Sequence, residues 1–165
     1  KQLVMKLLFT FLFACLSFTS VAQKKAIKQT IKQWHKAAET ADFKTYFNLM
    51  TEDAVFVGSD ASEVWNYKEF KAFAKPYFDA GKAWTFTPVH QNVYLSPNQQ
   101  MAWFDETLDS KHMGVCRGSG VLTMQKDETW KIAHYVLSIA IPNPDVDKVV
   151  ILKEELDKAY LKTID

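Results

Sequence analysis

The sequence predicts an α+β domain, and three observations carry that reading. Between Lys24 and Gly81 the apolar residues recur at three- and four-residue spacing. From Ala83 to Ile141, β-branched and aromatic residues fill four long segments, divided by the turn-like stretches SPNQ, DSKHM and KDE. The helical and extended segments are segregated along the chain instead of alternating. Helices therefore pack on a mainly antiparallel sheet.

Lys24 to Thr40 reads as a helix. Ile27, Ile31, Trp34 and Ala38 form one stripe and lysines occupy the other face. Asp42 is the expected N-cap of a second, short helix with Phe43, Tyr46, Phe47 and Met50 on its buried side. AVFVG, Ala54 to Gly58, reads as a strand, and Ser59 to Val64 as a polar loop leading to Trp65. Asn66 caps a third helix with the stripe Phe70, Phe73, Ala74 and Tyr77. Pro76 inside that pattern predicts a kink near 72–75, and Gly81 ends the helix. The four extended segments are Ala83 to Leu95, Gln100 to Asp109, Gly114 to Gln125 and Thr129 to Ile141, and they form an antiparallel meander. Pro88 marks a bulge or an edge in the first of them. Asn143-Pro144-Asp145 stops the sheet and opens a last helix with Val149, Leu152, Leu156 and Tyr160 apolar.

Of 165 residues, 48% are hydrophobic and 14% aromatic, enough for a single packed core and against disorder. The formal net charge of +1, with no basic stripe, argues against a nucleic-acid partner. Residues 1–22 read as a signal peptide: Lys1 and Lys6 flank a short basic region, Leu7 to Phe18 is apolar, and Ser20-Val21-Ala22 has the small residues of a cleavage site. The expectation is an exported protein, periplasmic or secreted, with no stable membrane span after cleavage. Lipid anchoring at Cys15 is the lesser alternative. The mature chain then keeps one cysteine, Cys116, and no intramolecular disulfide. Its expected role is that of a small apolar strand residue.

The order of these pieces resembles the nuclear transport factor 2-like superfamily and, within it, the SnoaL-like domains. The residues that carry the resemblance are ADFKTYFNLMTEDAVFVGSD (41–60), WNYKEFKAF (65–73), AWFDETLD (102–109), CRGSGVL (116–122) and WKIAHYVLS (130–138). The resemblance implies a cone: N-terminal helices packed on a strongly bent sheet, with an apolar pocket at the open end. It divides the chain into a leader (1–22), the SnoaL-like domain (23–143) and a C-terminal helical extension (144–165). Members include steroid isomerases, polyketide cyclases, dehydratases, epoxide hydrolases and proteins without chemistry, so the fold leaves function open.

The candidate site rests on strand parity. A regular last strand would put His134 and Ser138 on the concave face, leaving Tyr135, Leu137 and Ile139 outside as a homodimer contact. Trp103, Asp105 and Thr107 share one face of the hairpin, and Arg117, Ser119 and Val121 share one on the next strand. An acid in an apolar cone needs a partner, and Arg117 is the natural one for Asp105. Asp105, Arg117 and His134 are thus the candidate acid–base residues, against the alternative of a structural ion pair and a core histidine. Glu106 is read as outward, unless a bulge reverses the faces. Trp65, Tyr77, Trp84, Trp103, Ser119 and Ser138 are candidate pocket walls for a small hydrophobic ligand. Gly118 and Gly120 are read as allowing the sheet to bend. His35, His90 and His112 make no metal spacing with any acid, and no phosphate loop or nucleophile elbow is present, so no cofactor is expected. A binding module with a sealed interior dyad is the competing reading to an enzyme with that dyad open to a cavity.

Overall fold

The structure is a computed structural model that describes residues 2–164, with side chains from Ser20 onward. The leader expected over residues 1–22 therefore falls largely outside the described side chains. The elements are α1 (Gln2–Glu39), α2 (Phe43–Asn48), β1 (Met50–Val57), β2 (Val64–Asn66), α3 (Tyr67–Asp79), β3 (Thr87–Leu95), β4 (Met101–Ser110), β5 (Gly114–Met124), β6 (Trp130–Ile139), a 3-10 turn (Asn143–Asp145) and α4 (Val146–Leu161). One six-stranded sheet runs in the order β2-β1-β6-β5-β4-β3. Only β1 and β6 pair in parallel, so the fold is the α+β cone expected.

The helical caps form as their sequences dictate. Asp42 accepts from the Thr45 amide at 3.0 Å. Asn66 and Glu69 build a reciprocal capping box on α3. Gly81, at φ +66, closes α3 in the left-handed conformation, with amides 81 and 82 bonded back to Phe78 and Tyr77. Pro88 sits on the edge strand β3, and the register shifts between Pro88 and His90, so the proline marks both an edge and a bulge. The extended structure expected from Ala83 begins only at Thr87; residues 83–86 cross from α3 to the sheet without pairing. Val64–Asn66, read as loop and cap, forms the short edge strand β2.

The interior is filled by rings. Trp34 stacks on Tyr46 at 4.8 Å and meets Tyr135 edge-on at 4.8 Å, while Phe56 stacks on Phe70 at 3.9 Å. Fully burying one such side chain contributes roughly 1.5–3 kcal/mol, which makes this cluster the chief stabilising element of the cone. It also occupies the volume in which a deep ligand pocket would lie.

Two bulges set the faces. Between β5 and β6 the register passes from Val121–His134 to Leu122–Ile132, leaving Ala133 without a partner. One extra residue reverses a period of two. Ile132 points inward, then Tyr135 and Leu137 do, while His134, Val136 and Ser138 point outward. The expected dimer face through Tyr135 and Leu137 is therefore corrected: both are buried in the core. A second shift, between Met50 and Val55, keeps β1 in step with β6.

Candidate functional site

The outer face of the sheet holds most of the residues expected to form a site. Asp105, Arg117 and His134 all lie there, with Trp103, Ser119 and Ser138, and not in the cone. The register sets Asp105 opposite Ser119 and Arg117 opposite Thr107, one residue pair out of line. No ion pair joins them; Asp105 instead accepts from the Asn92 amide group at 3.0 Å. Trp103 stacks on Tyr94 at 5.7 Å and is 44% exposed, so it lines no cone cavity. The cause is parity: Ala102, Phe104, Glu106 and Leu108 are the inward set on β4.

Glu106 is accordingly the interior acid, 1% exposed. Its Oε1 accepts from His35 Nε2 at 2.8 Å and from the Tyr135 hydroxyl at 3.0 Å, and its Oε2 accepts from Gln91 Nε2 at 3.0 Å. A carboxylate only accepts, so His35 presents its Nε2–H. Burial, and then the Glu106 charge, push the Tyr135 phenol well above its usual range, which keeps the hydroxyl a donor. Gly118 and Gly120 explain themselves here. A Cβ on Gly118 would collide with the Tyr135 hydroxyl and come within 2.8 Å of Glu106 Oε1. The glycine pair is thus required by close approach from the inside of the sheet. Glu106, His35 and Tyr135 line none of the surface cavities; Gln91 alone among the network residues reaches one, a groove of about 680 Å³ between Lys28 and Lys32 of α1 and residues 87–91 of β3.

The signals for this network were in the sequence. His35 falls beside Trp34 on the buried stripe of α1, eight residues after Ile27. On β4, Ala102, Phe104 and Leu108 form a more apolar set than Trp103, Asp105 and Thr107, and Glu106 belongs to the apolar set.

The openings lined by aromatic rings of the core lie at one end of the cone. Strands β1, β4 and β6 end there, and β3 and β5 begin there. The unpaired segment 83–86 crosses this mouth with Trp84 inserted against Tyr46, Phe70 and Phe78 at ring distances of 5.6, 5.7 and 5.4 Å. Two cavities share Trp84, Phe86 and Met113 as a wall. The smaller, about 160 Å³, is lined by Phe56, Trp65, Phe70, Phe73 and Leu137, with Gly58, Ser59 and Glu63 at its edge. The larger, about 580 Å³, adds Tyr77 and a polar border of Lys82, Asp109, Lys111 and His112. The mouth therefore gathers Trp65, Tyr77 and Trp84 of the expected pocket walls; Phe73, Phe86 and Met113 join them. Behind Trp84, the Tyr46 hydroxyl is buried with no hydrogen-bond partner of acceptable geometry, and burial pushes its phenol well above the usual range although the Trp84 side chain opposes this. Among the described residues, no group of three or more His, Cys, Asp or Glu is placed to hold a metal ion.

The arrangement can hold a flat apolar molecule between rings, with a few polar groups at the border to orient it. The larger cavity's volume falls within the range of small-molecule pockets, roughly 300–1,000 Å³, and the smaller adds a ring-lined recess beside it.

Solved structures share this fold at low identity. A nuclear transport factor 2-like protein of unknown function from Pseudomonas putida superposes with a TM-score of 0.61 at 14% identity, covering 75% of this chain and 90% of that one. A nuclear transport factor 2-like protein from Cytophaga hutchinsonii gives 0.59 at 16% identity, covering 72% and 98%. A protein named "putative ketosteroid isomerase" from Parabacteroides distasonis gives 0.54 at 19% identity, covering 68% and 86%. No curated protein matches. The match that reaches the level of sequence is to the family model of the SnoaL-like domain over residues 27–142, from within α1 to just beyond β6, and the chain belongs to that family.

Proposed function

We propose that this chain binds a small, largely apolar molecule at the mouth of the cone, and that it does so as a binding module and not as an acid–base enzyme. The observation that carries the reading is the pairing of an aromatic mouth with a sealed interior: Trp65, Phe73, Tyr77, Trp84 and Phe86 face open cavities, while Glu106 and His35 do not. Acid–base chemistry of the kind named for the isomerase-labelled neighbour requires a carboxyl or imidazole open to the bound molecule. Here Glu63, Asp109 and His112 stand only at the borders. In the same reading the chain is a homodimer through the outer sheet face, where Tyr94, Met101 and Trp103 are exposed beside Val121 and Val136. Export after cleavage of residues 1–22 completes the proposal, and mass spectrometry of the native N-terminus decides it: a retained Leu7–Phe18 segment or lipid on Cys15 contradicts cleavage.

The binding test uses anilinonaphthalene sulfonate, whose emission rises in apolar sites. The unmodified chain is expected to bind it saturably. Trp84→Ala should weaken binding by about tenfold or more, the scale of one lost aromatic anchor, whereas Trp103→Ala should leave it unchanged. Equal loss in both variants, or no saturable binding, defeats the reading.

A further inference from the structure

α4 presents an apolar surface that nothing else in the described structure covers. Val149, Leu152, Leu156 and Tyr160 fall at i, i+3, i+7 and i+11, one stripe of a helix. Yet Leu152 is 84% and Leu156 75% exposed, and no residue of α4 is buried. A sustained apolar stripe on a helix ordinarily has a partner.

The two ends of the helix say which partner. At its C-terminal end the stripe is already docked: the Tyr160 hydroxyl donates to the Ala61 carbonyl at 2.8 Å. Ala61 belongs to the loop after β1, whose Gly58, Ser59 and Glu63 border the smaller mouth cavity. At its other end α4 follows from β6, whose Leu137 lines that same cavity. Both ends therefore frame the mouth, and the mouth offers an apolar counterpart in Phe73 (38% exposed) and Tyr77 (48% exposed) on α3. The connection 140–145 is the near anchor of α4. It is pinned by the Ala140 amide on the Val115 carbonyl, and Pro142 and Pro144 keep it from continuing the strand or joining the helix. The charges of α4 offer no basic face to an anionic surface. Lys148 pairs with Asp145, Lys153 with Asp157, and Lys158 with both Glu154 and Glu155.

We propose that α4 is the lid of the cone mouth: its stripe rolls over the cavities beside Trp84 about the line between its two anchors, the connection 140–145 and Tyr160 on the loop after β1. A lid on this site deepens the mouth-binding reading and rests on it for its purpose, though not for its geometry. Closure buries Leu152 and Leu156 against the rings of Phe73 and Tyr77 and withdraws a bound molecule from water.

The experiment has two arms. In a Cys15→Ser background, with Cys116 buried, the full chain carries Leu152→Cys and Phe73→Cys and is treated with a short bismaleimide. An intrachain bridge, identified by mass, is expected, and adding Leu156→Glu should cut its yield by about tenfold by weakening apolar docking. Bridges only between copies, no bridge, or a yield indifferent to Leu156→Glu overturn the lid. In the second arm, anilinonaphthalene sulfonate should leave the Leu156→Glu chain about tenfold faster than the unmodified chain. Equal release rates overturn the lid while leaving mouth binding intact. Failure of the probe to bind, with the intrachain bridge still formed, defeats the mouth-binding reading and leaves the lid standing.

Discussion

Replacing Gly118 by alanine probes the interior network at its tightest point. The new methyl would strike the Tyr135 hydroxyl and lie 2.8 and 2.9 Å from Oε1 and Cγ of Glu106. Neither neighbour can retreat easily. The Tyr135 ring is held between Trp34 at 4.8 Å and Phe56 at 5.5 Å, and the Glu106 side chain is wholly buried. Relief requires breaking the Tyr135–Glu106 hydrogen bond. Overpacking costs about 1–3 kcal/mol, and a lost hydrogen bond to a charged group about 1.5–3 kcal/mol. Alanine offsets about 0.5–1 kcal/mol of this through the lower conformational entropy of its unfolded state. A net loss of about 2–5 kcal/mol is expected, a large share of a typical domain's 5–15 kcal/mol. Urea unfolding followed by circular dichroism reads it as a lowered midpoint at unchanged slope. Tyr135→Phe removes the nearest clashing atom, so in that background the cost of Gly118→Ala should shrink by about 1 kcal/mol or more, a coupling that a double-mutant cycle isolates. A Gly118→Ala chain within about 0.5 kcal/mol of the original, the range of ordinary surface changes, or strict additivity with Tyr135→Phe, would refute the reasoning.

Two further outcomes follow from the geometry. Val136→Glu, on the outer face opposite Ser119, should weaken the proposed dimer by at least about tenfold in sedimentation velocity, the effect of a central interface residue; an unchanged oligomer, or a monomeric original chain, contradicts that face. The Asp60 and Asp127 carboxyls are held below the ordinary 3.8 by the side chains and then the amides of Ser62 and Thr129. A depressed folded value gives stabilisation that is present above the unfolded 3.8 and lost as pH falls through the folded value. The urea midpoint should therefore drop on acidification through that window, and Asp60→Asn with Asp127→Asn should make the drop shallower; an identical drop contradicts the assignment.

Much of the fold was legible because helix periodicity survives small errors of boundary. The stripe Ile27, Ile31, Trp34 and Ala38 is buried as its spacing requires, and Asp42, Asn66 and Gly81 punctuate the helices where they should. Strand parity is less forgiving. One unpartnered residue, Ala133, sends His134 outward and Tyr135 inward, and neither a glycine nor a proline in the run Ile132-Ala133-His134-Tyr135 marks it. The site inherited that error. Asp105 and Arg117 were chosen for the chemistry of an acid and a base on neighbouring strands. Which acid lies inside was decided instead by the apolar company of Glu106 on β4. His35 was legible in principle from its helix face, yet its partner stands 71 residues away, a pairing that only the packed sheet creates.

The five tryptophans allow the most direct test of ligand binding at the mouth. Trp65 and Trp84 line the mouth, Trp34 and Trp130 are buried in the core, and Trp103 stands on the outer face. Each gives its own indole N–H resonance in a heteronuclear NMR spectrum. Titration with anilinonaphthalene sulfonate should shift the Trp84 and Trp65 signals saturably with a common dissociation constant and leave that of Trp103 in place. Saturable movement of Trp103 with Trp65 and Trp84 unmoved would contradict the account and put the binding surface on the outside of the sheet.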